Sequence, residues 1–174
     1  MENNDFLIKP KAFSSPEIRP VEPGKVTWEE YMQLALDEAN EALICNEVPV
    51  GAIIIDDKGT VISKAHNSPT TSYDPSAHAE ILAIRKAGLA LKNYRLENCI
   101  LIVTLEPCAM CAGAIIHARL NGVVYAAADT ISGAIISRAE LLDAPASTRP
   151  VWHMGGILAQ ESTNLLQTFF KNKR

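Results

Sequence analysis

The run CILIVTL, at residues 99–105, is the feature that most restricts what this chain can fold into. A strand made of these residues has no polar face, so it is expected to be buried on both sides. Helical patterns flank the run, with DPSAHAEILAIRKAGLAL before it and PCAMCAGAIIHARL after it. An inner strand between two helical segments is typical of a layered α/β sheet.

The remaining patterns extend this architecture. TWEE at Thr27 is a capping box, and the helix that it begins is predicted to run to about Cys45. VPVGAIIID and TVISKAHN predict a hairpin, NGVVYAAAD a further strand, RPVWHM a possible fifth strand and LAQESTNLLQTFFKNK a closing helix. Alternating strands and helices favour parallel strands beside the antiparallel hairpin. We therefore predict a three-layer α/β/α sandwich around a mixed central sheet of about five strands.

Composition sets the expected number of domains and the compartment. The 174 residues are 48% hydrophobic, which is enough for one domain with a proper core. Residues 1–26 contain prolines without periodicity and are predicted to be an irregular extension before a folded domain at 27–174. No apolar run reaches the length of a membrane span and the N-terminus lacks a secretory pattern, so we expect a cytoplasmic protein. The net charge of −4 lacks the basic character usual for nucleic-acid binding.

Cys108 and Cys111, in TLEPCAMC, indicate a metal site. Pro107 is expected at the first position of their helix, so both thiols should lie in its first turn and on one face. The helix dipole there favours thiolates, and cysteines in a reducing compartment bind metals or serve catalysis more often than they form disulfides. The alternative is that they are two small residues of the core.

The motif HAE favours the metal site over the core. His78 and Glu80 are predicted in the first turn of the preceding helix, and strand-to-helix junctions of an open α/β sheet meet at one edge. His78, Cys108 and Cys111 would offer zinc one nitrogen and two sulfurs, and would leave the fourth tetrahedral position to water, as in catalytic sites. A closed structural site would instead take its fourth ligand from Cys45, Cys99, His66 or His117.

Glu80 is expected to act on the water rather than on the metal. Two residues along a helix correspond to about 200° of rotation, which turns Glu80 away from the ligand side of His78. A carboxylate in this position can move a proton from the water to a leaving group. The alternative is a first-turn glutamate that only interacts favourably with the helix dipole.

HAE followed by PCAMC resembles the signature of the zinc-dependent cytidine and adenosine deaminases. Over about residues 27–174 the chain is similar to the bacterial tRNA-specific adenosine deaminases, in VPVGAIII, DPSAHAEILAIR, NYRL, TLEPCAMCAGAIIHARL and GILAQESTNLLQTFFKNKR. The resemblance implies one zinc ion per subunit on His78, Cys108 and Cys111, with Glu80 as proton shuttle. It also implies a homodimer and a hydrolytic reaction, in which a nucleobase loses its amino group as ammonia.

The same resemblance implies three substrate contacts. Asn67 matches an asparagine that hydrogen-bonds the target base, the backbone of Ala79 would touch the base, and Asp129 matches an acidic residue at the mouth of the site. From the residues alone, Asn67 also reads as a turn residue before Ser68 and Pro69, and Asp129 as the turn at the end of a strand.

Departures from the family pattern fall on the side that would hold RNA. Ala128 stands where the tRNA enzymes usually carry a basic residue, TISGAIIS where they have a loop rich in Lys, Thr, Gly and Ala, and Ser68 where an arginine is common. Phosphate contacts supply much of the affinity for RNA, and the basic cluster that remains is Lys171, Lys173 and Arg174. We expect conversion of adenosine to inosine in a tRNA anticodon loop. The alternatives are a guanine deaminase-like enzyme that acts on a free purine base or nucleoside, and a zinc-stabilised RNA-binding module, against which Glu80 argues.

Overall fold

The computed structural model describes residues 25–143 and 151–173. In chain order its elements are α1 Trp28–Ile44, β1 Gly51–Asp56, β2 Val61–His66, α2 Pro69–Ser72, α3 Ala79–Leu91, β3 Cys99–Leu105, α4 Ala109–His117, β4 Gly122–Ala127, β5 Trp152–Gly155 and α5 Ala159–Asn172. The predicted extension at 1–26, except for its last two residues, lies outside the described residues. Within the described ranges, no helix has the length and apolar character needed to cross a lipid bilayer.

The strands form one mixed sheet in the order β2-β1-β3-β4-β5. CILIVTL is β3, the central strand, and all its residues except Leu105 are buried. β1 pairs antiparallel with both β2 and β3, whereas β3, β4 and β5 are parallel. Because β2 and β3 both oppose β1, they run in the same direction and their carboxyl ends lie at one edge of the sheet. The segments that lead into α3 and α4 leave the sheet at that edge.

Alternate residues of the inner strands fill two buried clusters, one on each face of the sheet. Ile53, Ile55 and Ile102 pack with α1 on one face. Ile54 and Leu101 pack with α3 and α4 on the other face. All five side chains are fully buried. Helices cover both faces, so the predicted three-layer α/β/α sandwich with a mixed five-stranded sheet is confirmed.

The second long helix begins later than its sequence pattern predicts. Asp74 Oδ1 accepts hydrogen bonds from the backbone N and the hydroxyl of Ser76, at 2.8 and 2.7 Å, and so closes a turn of its own instead of capping a helix. α3 therefore starts only at Ala79, with His78 as its N-cap in an extended conformation. The short helix α2, which the sequence pattern does not reveal, precedes this turn.

The helix of the two cysteines is shifted in the same way. Pro107 lies before α4 rather than at its first position, and Cys108 is the N-cap. Cys111 is the third residue of α4, one turn further on. Both predicted metal-binding elements thus place a ligand-type residue at the N-cap, where the side chain is not constrained by the preceding turn of a helix.

Candidate zinc and catalytic site

The sheet brings the N-termini of α3 and α4 together. α3 follows β2 and α4 follows β3, and these two strands end at the same edge. His78 and Cys108, the two N-caps, have extended backbone conformations with φ near −70° and −74°. Their side chains converge on that of Cys111, although His78 is thirty residues away from Cys108 along the chain.

Three donor atoms form a nearly regular triangle. The Sγ atoms of Cys108 and Cys111 are 3.7 Å apart, and Nδ1 of His78 lies 3.7 Å from Cys108 Sγ and 3.6 Å from Cys111 Sγ. Ordinary zinc–sulfur and zinc–nitrogen bonds in a tetrahedron require about 3.8 Å between two sulfurs and about 3.6 Å between sulfur and nitrogen. The spacing of the three donors therefore fits one tetrahedral zinc ion.

A closed structural site does not form among the described residues. The group of His, Cys, Asp and Glu side chains able to share one metal ion contains His78, Cys108 and Cys111 alone. The candidates for a fourth protein ligand, Cys45, Cys99, His66 and His117, do not belong to this group. His66 instead lies 3.5 Å from the carboxylate of Glu38. Three protein ligands with a fourth position open correspond to the catalytic type of zinc site.

Hydrogen bonds among the three donor side chains shift their pKa values in different directions. Cys108 accepts from the Cys111 thiol and from His78, which lowers the pKa of Cys108 to about 4. The same bond to Cys108, together with burial, raises the pKa of Cys111. The contact with Cys108 also raises the pKa of His78, against the opposing effect of burial. The Cys108 thiol thus ionises more readily than the Cys111 thiol, which has to lose its proton to serve as a zinc ligand.

Glu80 lies in the first turn of α3 and is only 4% exposed. Burial raises the pKa of its carboxyl above the ordinary value, opposed by a hydrogen bond from its own backbone and by the charge on His78. The Cys111 thiol also interacts with this carboxyl, so Glu80 adjoins the three donors without being one of them. A carboxyl with a raised pKa beside a metal site has the properties of a general acid and base.

Asn67 immediately follows β2 and reaches α3. Its Oδ1 accepts a hydrogen bond of 3.0 Å from the backbone N of Ala79, and Asn67 itself is 8% exposed. This contact fixes the orientation of the amide and leaves the NH₂ group as a donor. Ala79 is fully buried and its N–H is already used by Asn67. The predicted contacts of Asn67 and Ala79 with a base stay predictions.

Asp129 lies just beyond β4, where it organises a tight turn. Its Oδ1 accepts from the backbone N of Ile131 at 2.9 Å and of Ser132 at 3.1 Å, and its Oδ2 accepts from the Ser132 hydroxyl. These bonds form a turn at the end of a strand, which was the alternative interpretation of Asp129. The predicted contact of Asp129 with substrate stays a prediction.

Two buried glutamates that hold loops and short helices in place were not predicted from the sequence. Glu106, 2% exposed, accepts hydrogen bonds from the segment at 129–137, and Glu47, also 2% exposed, accepts from the backbone and hydroxyl of Thr71 in α2. Glu106 stands inside TLEPC, directly after a strand that is buried on both faces. An acidic residue at such a position needs several donors, which was the available signal.

A model of the cytidine and deoxycytidylate deaminase zinc-binding region matches residues 26–127, the part of the chain that contains the three donors and Glu80. The chain belongs to this deaminase family. It is a zinc-binding deaminase, and deaminases of this kind are hydrolases that act on a C–N bond.

Named relatives match most of the chain. The tRNA-specific adenosine deaminase of Haemophilus influenzae is 42% identical over 146 residues, which cover 84% of each protein. That of Aquifex aeolicus is 44% identical over 147 residues, 84% of this chain and 95% of the relative. A solved structure from a study of A-to-I editing by tRNA:A34 deaminases at the wobble position of transfer RNA has a TM-score of 0.75 and 40% identity, covering 78% of this chain and 98% of its own.

Guanine deaminases share the fold. The structure of the Bacillus subtilis enzyme has 44% identity and a TM-score of 0.57, over 60% of this chain and 67% of its own. That of Nitrosomonas europaea has a TM-score of 0.73 over 84% of this chain and 86% of its own, and its 23% identity shows a common fold alone. Proteins similar to this chain thus include deaminases named for tRNA and deaminases named for a free base.

Proposed function

We propose that this chain converts adenosine to inosine in a tRNA anticodon loop in the cytoplasm. The observation that carries the chemistry is the tetrahedral spacing of His78, Cys108 and Cys111 beside the buried carboxyl of Glu80. The substrate is supported by the two relatives named tRNA-specific adenosine deaminase, which match 84% of the chain at 42% and 44% identity. Thiols that must remain reduced to bind metal fit a cytoplasmic location.

The proposed reaction replaces the amino group of adenosine with oxygen from water and releases ammonia. Zinc, when bound by the three donors, supplies Lewis-acid activation of water. Glu80 accepts a proton from water and returns one to the leaving amino group, and its raised pKa suits both transfers. Asn67, held by the Ala79 backbone, donates from its NH₂ group to an acceptor of the base and so orients it.

A groove that begins at the end of β4 suits a substrate larger than a base. It has a volume of about 300 Å³ and lies between the end of β4 and α5, where Ala127, Ala128, Gln167, Phe170 and Lys171 line it. Phe170 is 50% exposed. An exposed aromatic ring next to a lysine can stack on a nucleotide base and contact its phosphate. Asp129 follows Ala128 directly, so we place this groove at the mouth of the site.

Deamination of a free purine is the second candidate. The guanine deaminase of Bacillus subtilis, 44% identical over 60% of this chain, favours it. Ile131, shortly after Asp129, is an apolar side chain that is 86% exposed. The net charge of the chain is −4. Neither feature attracts phosphate.

Ammonia release from a panel of substrates separates the two candidates. The zinc-loaded protein is given free guanine, free adenosine and an anticodon stem-loop with adenosine at the wobble position. We expect kcat/KM for the stem-loop to exceed that for either small molecule by at least about a hundredfold, because only the stem-loop reaches the groove. Deamination of guanine with no reaction of the stem-loop would sink the tRNA proposal.

A homodimer is also part of the proposal. α4, AMCAGAIIH, contains no Asp, Glu, Lys or Arg, and Met110 on its surface is 40% exposed. An added Cβ at Gly113 would meet nothing within 4 Å, so the helix also presents open space there. An apolar helix surface beside the site suits packing against a second copy. Analytical ultracentrifugation of the zinc-loaded protein tests this, with a dimer as the expected species.

A further inference from the structure

The segment 129–137, which we call the mouth loop, converges on one buried side chain. Glu106 Oε1 accepts hydrogen bonds from the backbone N of Ile135, Ile136 and Ser137 at 3.1, 2.8 and 2.9 Å. Glu106 Oε2 accepts from the backbone N of Asp129 at 3.0 Å and from the Ser137 hydroxyl. Both ends of the mouth loop are therefore held by the two oxygens of a single carboxylate.

The same loop lies against the N-cap of α4. Cys108 and Gly133 form an isolated β-bridge, and the backbone N of Ala134 donates to the carbonyl of Pro107 at 2.8 Å. Glu106 directly precedes Pro107 and Cys108 in the chain. Its own backbone N donates to the carbonyl of Ala127 at the end of β4. One short stretch of chain thus connects a zinc-ligand position to the loop that starts with Asp129.

Glycine at position 133 is required for this arrangement. A Cβ built at Gly133 would lie 2.5 Å from the carboxyl carbon and Oε2 of Glu106 and 2.5 Å from the backbone O of Asp129. No side chain fits at such distances, so the loop backbone packs directly on the carboxylate. The two oxygens of Glu106 accept five hydrogen bonds from the mouth loop, and the loop leaves no room for a side chain at position 133.

We propose that Glu106 is a positioning residue for substrate, which acts through Asp129 by fixing the mouth loop relative to Cys108. The inference rests on the proposed function, in which Asp129 borders the substrate. Glu106 itself is not one of the three metal-donor residues. Its carboxylate sets the place of the Asp129 backbone, while the Asp129 side chain sets the turn of residues 131 and 132.

Glu106→Gln tests this by removing the hydrogen bond to the Asp129 backbone. An amide has one acceptor oxygen, which is best placed toward the three N–H groups of residues 135–137. Its NH₂ group then faces Asp129 N–H and the Ser137 hydroxyl, and the hydroxyl can accept where the N–H cannot. The variant should therefore release Asp129 while it keeps the far end of the loop.

Amide hydrogen exchange measures the release of Asp129 without any substrate. In Glu106→Gln we expect the Asp129 amide to exchange at least about tenfold faster, with a smaller change at Ile136 and zinc still bound at one ion per chain. Glu47→Gln is the matched control, because it makes the same substitution at the other buried glutamate, whose amide oxygen can still accept from Thr71, and it should leave the Asp129 amide protected. Retained protection of Asp129 in Glu106→Gln would overturn the proposal.

A double-mutant cycle reads out the link to substrate. Glu106→Gln and Asp129→Ala should each lower kcat/KM about tenfold or more, and the double variant should match the poorer single variant within about twofold. Independent, multiplying losses would mean that Glu106 only supports the fold, and would overturn the positioning role. The cycle uses whichever substrate of the panel the wild type deaminates, so failure of the tRNA proposal does not decide it.

The wild-type protein provides a test if Glu106→Gln does not fold. The Asp129, Ile135, Ile136 and Ser137 amides share one acceptor group, so they should all be protected and should exchange with similar opening rates. An Asp129 amide that exchanges as fast as an unprotected one in the wild type would contradict the proposal.

Discussion

Single residues of the zinc site carry an uneven distribution of protons. The pKa of Cys108 is held near 4 because Cys111 and His78 donate to it, while the pKa of Cys111 and that of His78 are raised. Zinc binding must therefore displace the proton of the Cys111 thiol. At a pH below the raised pKa of His78, it must also displace a proton from the imidazole of His78. Proton release on binding makes metal affinity fall as the solution becomes more acidic.

We predict that the zinc association constant falls by about tenfold per pH unit around pH 8, and more steeply toward pH 6. Competition with a chelator at several pH values measures this. Cys45→Ser, which changes an exposed thiol outside the site, should leave the affinity unchanged, whereas Cys111→Ser should lower it strongly. A zinc affinity that is constant between pH 6 and 8 would show that this distribution of protons is wrong.

At the scale of elements, α1 packs on the sheet with its backbone in contact with β1. A Cβ at Gly51 would lie 2.1 Å from the carbonyl O of Ala35 and 2.4 Å from the backbone N of Ala39. Neither atom belongs to a side chain that could move away. The close approach of α1 to β1 thus depends on the glycine of VPVGAIII.

Gly51→Ala should lower the free energy of unfolding by about 1–3 kcal/mol or more, because α1 has to move off the sheet. Gly88→Ala is the matched control. Its added Cβ meets only the Asn93 carbonyl at 3.5 Å, an ordinary contact, and alanine favours a helix interior by up to about 1 kcal/mol over glycine. Urea unfolding compares the two variants, and equal stability of Gly51→Ala and wild type would contradict the packing described here.

Elements that depend on local sequence were predicted correctly. The capping box at Thr27 is confirmed, since Glu30 N donates to Thr27 Oγ1 and Thr27 N donates to Glu30 Oε2, and both groups lie within four residues. The hairpin, the central strand and the closing helix also follow from local patterns. The convergence of His78 with the cysteines could be predicted because sheet topology places strand ends together.

Two kinds of feature could not be predicted: a local segment that suits two different structures, and a contact with a distant partner. The start of α3 was placed too early because Asp74 and Ser76 suit both a helix cap and a separate turn, and the pattern does not distinguish them. α2 is held by Thr71 bonding to Glu47, twenty-four residues away. The partners of Glu106 lie 23 to 31 residues further along the chain. Such contacts leave no periodic trace in the sequence.

At the scale of the whole molecule, the proposed binding of RNA by a chain with a net charge of −4 requires a local basic surface. Lys171 lines the groove beside Phe170, at the edge of the sheet where the site lies. Lys58 is also exposed, but it lies in the turn between β1 and β2, at the opposite edge of the sheet. The two lysines therefore make a matched pair for testing where RNA binds.

Lys171→Ala should weaken binding of the stem-loop and reduce the slope of log affinity against log salt by about 0.7, the loss of one phosphate contact on single-stranded RNA. Lys58→Ala should leave the slope unchanged. Fluorescence anisotropy over a series of salt concentrations gives both slopes. Equal slopes for the two variants would show that the RNA does not bind in the groove.

The three donors and Glu80 are together proposed to convert adenosine to inosine in an anticodon loop. The most direct measurement is the nucleoside composition of a stem-loop after incubation with zinc-loaded wild type or Glu80→Gln. We predict one inosine and one ammonia per stem-loop for the wild type, and a rate at least about a hundredfold lower for Glu80→Gln with zinc still bound. An unchanged loop adenosine with the wild type, or equal rates for the two proteins, would contradict the account.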